Sequence, residues 1–280
     1  MSVAEVRPSP IAGTWYDANP QRLARLVDGF IDAAVLPPLV GTPVAIVAPH
    51  AGHRYSGAVA GYAFAAVRGL SPAVVAVVSP MHHPYPYSLL TTAHTAYGTP
   101  LGVLSVERAL LNRLDETLKR RLGFGLTPVA NDPEHSLEIE LPFLQRALRS
   151  TFTLLPVMVR THDSTTCRIL GETLAETLAE KDVLLVASTD FSHFYDAETA
   201  RRLDAAMLAQ VEAFSPEGLF EVEAQGKGEA CGLGALASVL WAAKALGGQM
   251  VKTLHHATSG DVTGDYRSVV GYGAAVVLRP

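Results

Sequence analysis

Three apolar runs in this chain each end on residues able to hold a metal ion or move a proton. The run 44–48 is followed by Pro49-His50-Ala51-Gly52-His53, the run 74–79 by His82 and His83, and the run 183–188 by Asp190 and His193. Neutral imidazoles fixed at the rim of a buried sheet suit a transition metal, because rigid strand ends set the direction of each lone pair. Cys231, in 230-ACGLGALASVL-240, is the best candidate for a third donor. Gly232 and Gly234 permit close backbone approach, and an apolar helix beginning there would place the thiol at its N-terminus, where the dipole favours thiolate. The competing reading of Cys231 is a small buried hydrophobe. Asp190 is near enough in sequence to orient the ring of His193, whose imidazole titrates in the range useful for proton transfer. His53, His83 and His135 are expected on the wall of a substrate pocket. For His135 the alternative is a helix-end role, with Ser136 as the cap. His94 and His162 read as structural, as does Cys167 within a helical region at 163–180.

The elements that must carry these residues follow from the apolar pattern. Asn19-Pro20 reads as a cap and first helical position, opening a helix through about Ala34 with Leu23, Leu26, Phe30 and Ile31 on one side. A second helix is expected from Ser56, acting as cap, to Arg68, with Gly69 as its stop. Strands are expected at 44–48, 74–79, 152–159, 183–188 and 268–278, with helices near 163–180, 197–224 and 232–246. Pro142 should kink or restart the helix around it. Continuous Val/Ile/Leu strands alternating with helices predict an α/β layered sandwich whose largely parallel or mixed sheet is flanked by helices. In such sheets ligands bind beyond the carboxyl ends of the strands, where these histidines fall. The turn-rich 259–265 segment has too few oxygen donors for a hard-metal site and reads as a structured loop near the pocket.

Composition narrows the context. A chain of 280 residues, 49% hydrophobic, can bury one sizeable core, so residues 1–280 are taken as a single domain. A net charge of -5 without a basic face argues against nucleic acid as a partner. Glu5, Arg7, Pro8 and Pro10 interrupt any apolar leader core, and no run approaches bilayer length, so a soluble, cytoplasmic protein without membrane association is expected. Two cysteines cannot build a disulfide framework.

The stretches AGTWY (12–16), APHAGHRYSG (48–57), the His82-His83 pair, TPLG (99–102), EHSLEIELPFL (134–144), PVMV (156–159), STDFSH (188–193), CG (231–232), SGDVTGD (259–265) and VVGYGAAV (269–276) together resemble the MEMO family. Its microbial members are called AmmeMemoRadiSam system protein B. The resemblance runs from about residue 7 to the C-terminus. It implies the fold of the class III extradiol ring-cleaving dioxygenases, non-haem Fe(II) enzymes that hold their metal with two His and one Glu. It further implies His50, His82 and Cys231 as ligands, with Asp190 and His193 as acid–base partners. Ser79-Pro80-Met81 in place of the usual GPS, and His53 in place of a tyrosine, depart from the family pattern at the pocket wall. The family name implies a functional link to AMMECR-type and radical SAM proteins.

Two imidazoles and a thiolate on one side of an ion leave the opposite positions open to O2 or substrate. Thiolate softens the site, so Fe(II) is the expected metal, with Cu or Zn as alternatives. Three function classes fit: a metal-dependent oxidoreductase or dioxygenase-like enzyme on an unknown small molecule; a non-catalytic module binding metal or a phosphopeptide; and a metal-dependent hydrolase with His193 as base. No GxSxG or CxxC motif supports a nucleophile or dithiol alternative.

Overall fold

A computed structural model describes residues 5–280; residues 1–4, the start of the stretch read for a leader, lie outside the described residues. The chain opens with β1 (Val6–Arg7), α1 (Pro20–Ala33), β2 (Thr42–Ala48), α2 (His53–Ala65) and β3 (Val74–Pro80). It continues through β4 (Leu89–Thr92), β5 (Ala96–Thr99), β6 (Gly102–Ser105), α3 (Arg108–Leu122), β7 (Thr127–Val129), a 3-10 turn (Glu138–Glu140), α4 (Leu141–Ala147) and β8 (Thr153–Val159). It then forms α5 (Ser164–Leu178), β9 (Val183–Ser188), β10 (His193–Tyr195), α6 (Ala197–Glu212) and α7 (Pro216–Ala224). The last elements are α8 (Leu233–Ala245), β11 (Met250–Thr258), α9 (Gly260–Thr263) and β12 (Val269–Arg279).

Four parallel strands, in the order β2-β9-β3-β8, form the middle of a nine-stranded mixed sheet. Antiparallel β12 extends it beyond β2 and β4 extends it beyond β8, with β10 and β11 against β12 and β7 against β4. Strand β9 lies between β2 and β3, so the strands that deliver His50 and His82 flank the one that delivers Asp190. Ala48 is register partner to Ser188, and Val78 to Ala187, which brings the three carboxyl ends to one edge. Helices α1, α2 and α4 pack together on one face, and α3, α5, α7 and α8 on the other. The expected layered α/β sandwich is therefore observed, with a mixed sheet. Among the described residues, no helix is long and apolar enough to cross a membrane.

Local chemistry explains the elements that matter for the site. The Asn19 side chain accepts the Arg22 N–H at 3.0 Å and Pro20 occupies the first turn of α1. The helix buries Leu23, Val27 and Ile31 at four-residue spacing, each contributing about 1.5–3 kcal/mol. Gly61 lets α2 lie against α1, since a Cβ there would sit 2.4 Å from the Phe30 carbonyl oxygen.

Two expected caps are corrected. Helix α2 begins at His53 with Gly52 as N-cap, three residues before Ser56, whose Oγ instead donates to the Ala51 carbonyl at 2.8 Å. The turn after His50 is too short for a later start, because the His53 N–H is already tied to the Trp15 carbonyl at 2.9 Å. Ser136 does not cap a helix either. Its Oγ donates to the Pro80 carbonyl at 2.7 Å, tying the His135 loop to the end of β3. Pro142 lies in the first turn of α4, so the helix restarts there as expected.

Candidate metal centre

His50, two residues beyond β2, is held at both ends. Its N–H donates to Asp190 Oδ1 at 2.7 Å, and its Nδ1 lies 3.0 Å from Ser188 Oγ. Ser188 Oγ is also 2.7 Å from the Ser136 carbonyl and 2.7 Å from Glu140 Oε1. A hydroxyl has one proton, and a carbonyl can only accept it, so Ser188 offers His50 a lone pair. The His50 proton therefore sits on Nδ1, and Nε2 keeps a lone pair free for an ion.

Glu134 does the same for His82 and lies against His135 as well. Its Oε2 accepts the His82 N–H at 2.5 Å, and its Oε1 lies 3.0 Å from His82 Nδ1 and 3.1 Å from His135 Nδ1. The N–H groups of His135 and Ser136 donate to the same Oε1. Burial opposes ionisation of this carboxyl, but the His82 bond and charge and these backbone donors hold it well below the usual carboxylate range. The His82 and His135 rings stack with centroids 4.8 Å apart and planes 14° apart. Ring nitrogens of His50, His82 and His135 all lie within 4.8 Å of one another. Burial, then the neighbouring imidazoles, pushes His50 well below its ordinary range; burial pushes His135 down to about 4. Both are neutral at physiological pH, the form that binds metal.

Cys231 reaches this group from the turn before α8. Gly232 makes the approach possible, since a Cβ there would stand 2.6 Å from the Ser188 carbonyl oxygen. Cys231 Sγ lies 3.1 Å from His50 Nε2 and accepts the Asp190 N–H at 3.3 Å. Metal bonds of about 2.1 Å to nitrogen and about 2.3 Å to sulfur, at a right angle, separate the two atoms by about 3.1 Å. That spacing suits His50 and Cys231 as two donors of one ion, whereas the thiol lies outside the three-histidine group and is linked to it through His50. Burial, then the Asp190 carboxyl, pushes the thiol well up, outweighing the expected help from the α8 dipole.

Asp190 and His193 differ from expectation. The Asp190 carboxyl is committed to the N–H of His50, and burial pushes it up to about 7. It does not orient His193. That ring bonds the Phe191 carbonyl, the His193 N–H donates to Glu229 Oε1 at 2.6 Å, and burial lowers the imidazole's pKa. Three residues of separation suggested an Asp–His pair, but the turn sends the two side chains to different partners. His53 is likewise not brought to the cluster. It is buried in the first turn of α2, with Nε2 3.2 Å from the Ile139 carbonyl and its ring 4.9 Å from Phe143. His83 is half-buried beside His82, close enough for its charge to depress His135. His135, expected on the pocket wall, stands among the candidate ligands and also stacks on Trp15 at 4.0 Å.

The structural readings of the remaining candidates agree with their surroundings. His94 is buried and accepts the Asn131 N–H, His162 pairs with Glu223 at 3.3 Å, and Cys167 is buried. Ser188, Glu140, Glu229 and Trp15 were not singled out for the site by sequence reasoning. Their available signals were adjacency to Asp190, to the His135 loop, to Cys231 and to the start of the motif set.

The chain matches the family model for Memo-like proteins over residues 7–276. It is 32% identical over 286 aligned residues to a MEMO1 family protein of Methanopyrus kandleri, covering 98% of this chain and 99% of that relative. A MEMO1 family protein of Aquifex aeolicus is 32% identical over 276 residues, with 98% of this chain and 99% of that relative covered. One from Methanosarcina mazei is 33% identical over 239 residues, 82% of this chain and 84% of the relative. With the match running almost end to end, the chain belongs to the Memo-like family.

Proposed function

We propose that this protein is a metal-dependent oxidoreductase, dioxygenase-like in chemistry, acting on a small substrate with Fe(II) held by His50, His82 and Cys231. The observation that supports the reading is the grouping of His50, His82 and His135 ring nitrogens within 4.8 Å of one another, with Cys231 Sγ 3.1 Å from His50 Nε2. His135 is assigned to the substrate side, because its ring is shared with the wall formed by Trp15. Bound Fe(II) would supply one-electron chemistry toward O2 and a Lewis-acid face for the substrate. The chain's own residues do the rest. Ser188 and Glu134 fix the ring tautomers, and Asp190 anchors the His50 backbone. His193, kept neutral by burial and held through the Phe191 carbonyl, is the group suited to take a proton from substrate at its free ring nitrogen.

The cavity beside the cluster favours a small molecule over a phosphopeptide, since its described lining is neutral and offers no cation to a phosphate. Access of a small ligand to the metal tests the enzyme reading. Anaerobic Fe(II)-loaded protein exposed to nitric oxide should change its electronic and paramagnetic spectra. Unaltered spectra would mean closed coordination and a binding or structural role. His193→Gln should keep the metal while losing turnover.

A further inference from the structure

The 3-10 turn Glu138–Glu140 carries two buried acids with opposite surroundings. Glu138 Oε2 meets the Arg7 guanidinium at 2.5 Å. Glu140 is 1% exposed and has no ion pair among the described residues. Its Oε1 lies 2.7 Å from Ser188 Oγ, and its Oε2 has no hydrogen-bond partner. A carboxylate buried with one oxygen unanswered and no cation beside it is a costly species, and burial pushes the Glu140 carboxyl well above the usual carboxylate range.

The surroundings of Ser188 place a proton on Glu140 by geometry. Ser188 Oγ lies 2.7 Å from the Ser136 carbonyl oxygen, 3.0 Å from His50 Nδ1 and 2.7 Å from Glu140 Oε1. Three such contacts need three hydrogens. The carbonyl has none, so the serine proton goes to it. The contact with His50 is filled by the Nδ1 proton, and the contact with Glu140 is left for the acid's own O–H. Were Glu140 ionised, the single serine proton could serve only one of its two oxygen neighbours. The other 2.7 Å approach would set lone pair against lone pair.

We propose that Glu140 is a neutral carboxylic acid that donates to Ser188 and acts through it as a positioning residue for His50. The Ser188 oxygen then accepts two protons and gives one, so its hydroxyl has no second orientation and the His50 ring is held with Nε2 toward Cys231. The two histidines are thereby backed differently. His82 leans on the Glu134 carboxylate, which raises the basicity of a ligand imidazole, and His50 on an uncharged hydroxyl and acid. The inference rests on the proposed function in treating His50 as a metal ligand, but the proton on Glu140 is tested without metal.

Infrared spectra of the metal-free protein, isotope-labelled at the glutamate side-chain carboxyls, provide that test. At neutral pH the wild type should show a protonated carboxyl band that Glu140→Gln removes. Ser188→Ala should shift that band, because the acid loses its acceptor. No such band, or a band that Ser188→Ala leaves in place, would overturn the proposal. The positioning role is read from Fe(II) affinity in chelator competition and from the His50 Nδ1–H resonance of the metal-free protein. Glu140→Gln, whose amide N–H can still donate to Ser188, should keep the resonance and bind within about threefold of wild type, whereas Glu140→Leu should broaden it and bind about tenfold more weakly. Unchanged affinity and resonance in a folded Glu140→Leu would overturn the role; if that variant does not fold, the band shift in Ser188→Ala decides. A wild type that binds no Fe(II), yet shows the band and its shift, would sink the proposed function and leave Glu140 standing as the donor to Ser188.

Discussion

Two polar clusters hang from the same loop, residues 132–140, and they are built on opposite principles. In one, the buried Arg7 guanidinium donates to Asp132 Oδ1 at 2.8 Å, to Glu138 Oε2 at 2.5 Å and to the Glu134 carbonyl at 2.7 Å. Glu138 Oε1 accepts from Tyr16 at 2.6 Å and from Ser9 at 2.5 Å. One guanidinium is shared by two carboxylates, and the geometry is closed. In the other cluster, Ser188 and Glu134 bond the Nδ1 atoms of His50 and His82, Glu134 lies 3.1 Å from His135 Nδ1, and ring nitrogens of the three histidines lie within 4.8 Å of one another. A closed cluster holds the loop in place; the other groups imidazole nitrogens as a candidate cation site. Side chains that alternate along one loop thereby separate structural from chemical duty.

Breaking the closed cluster should have the largest effect. Arg7→Ala leaves Asp132 and Glu138 buried without their cation and should cost about 3–5 kcal/mol in urea unfolding. Because Arg7 also holds the Glu134 carbonyl, metal affinity should fall with it. A loss below about 1 kcal/mol would show that the cluster is not what fixes the loop.

Acid should expose a second difference. His53 is buried neutral, and burial pushes it down to about 4 from an ordinary value of 6.5. Its folded pKa lies below its unfolded one, so the stability it contributes is complete above pH 6.5 and is lost as the pH falls toward 4. The loss amounts to about 3 kcal/mol. His53→Phe should flatten the unfolding free energy of the metal-free protein across that window. An unchanged slope would contradict the assignment of His53 to the core.

Glu134→Gln sharpens the comparison with a smaller effect. The amide can no longer accept at both oxygens, so His82 and His135 lose part of their orientation. Metal affinity should fall about 10–100-fold in competition titrations with a chelator. Equal affinity would place Glu134 outside the machinery of the site.

Much of this arrangement was legible in the sequence. The apolar runs 44–48, 74–79 and 183–188 are the neighbouring parallel strands β2, β3 and β9, and their unbroken apolar character alone found them. His50 and Cys231, 181 positions apart in sequence, do meet, as their shared placement at element ends implied. The elements between residues 89 and 129 were passed over. Strands β4 to β7 there are short, and α3 was marked only by Leu110, Leu111, Leu114 and Leu118 at helical spacing. Strand β11 was missed because Lys252, His255 and His256 interrupt its apolar character on an edge. The partners of Asp190 and His193 were beyond local reading. They depend on Glu229 and on the close approach of His50, contacts 36 and 140 residues away in sequence.

The central claim is that the histidine–cysteine cluster is a metal centre, and counting metal tests it most directly. Iron per chain should be measured after anaerobic reconstitution and desalting in the wild type, His50→Ala, His82→Ala, Cys231→Ser and His135→Ala, each matched for folded content. The wild type should hold about one ion per chain, the first three variants should lose most of it, and His135→Ala should keep it. Unchanged iron in His50→Ala, His82→Ala and Cys231→Ser, or no iron in the wild type, would contradict the account.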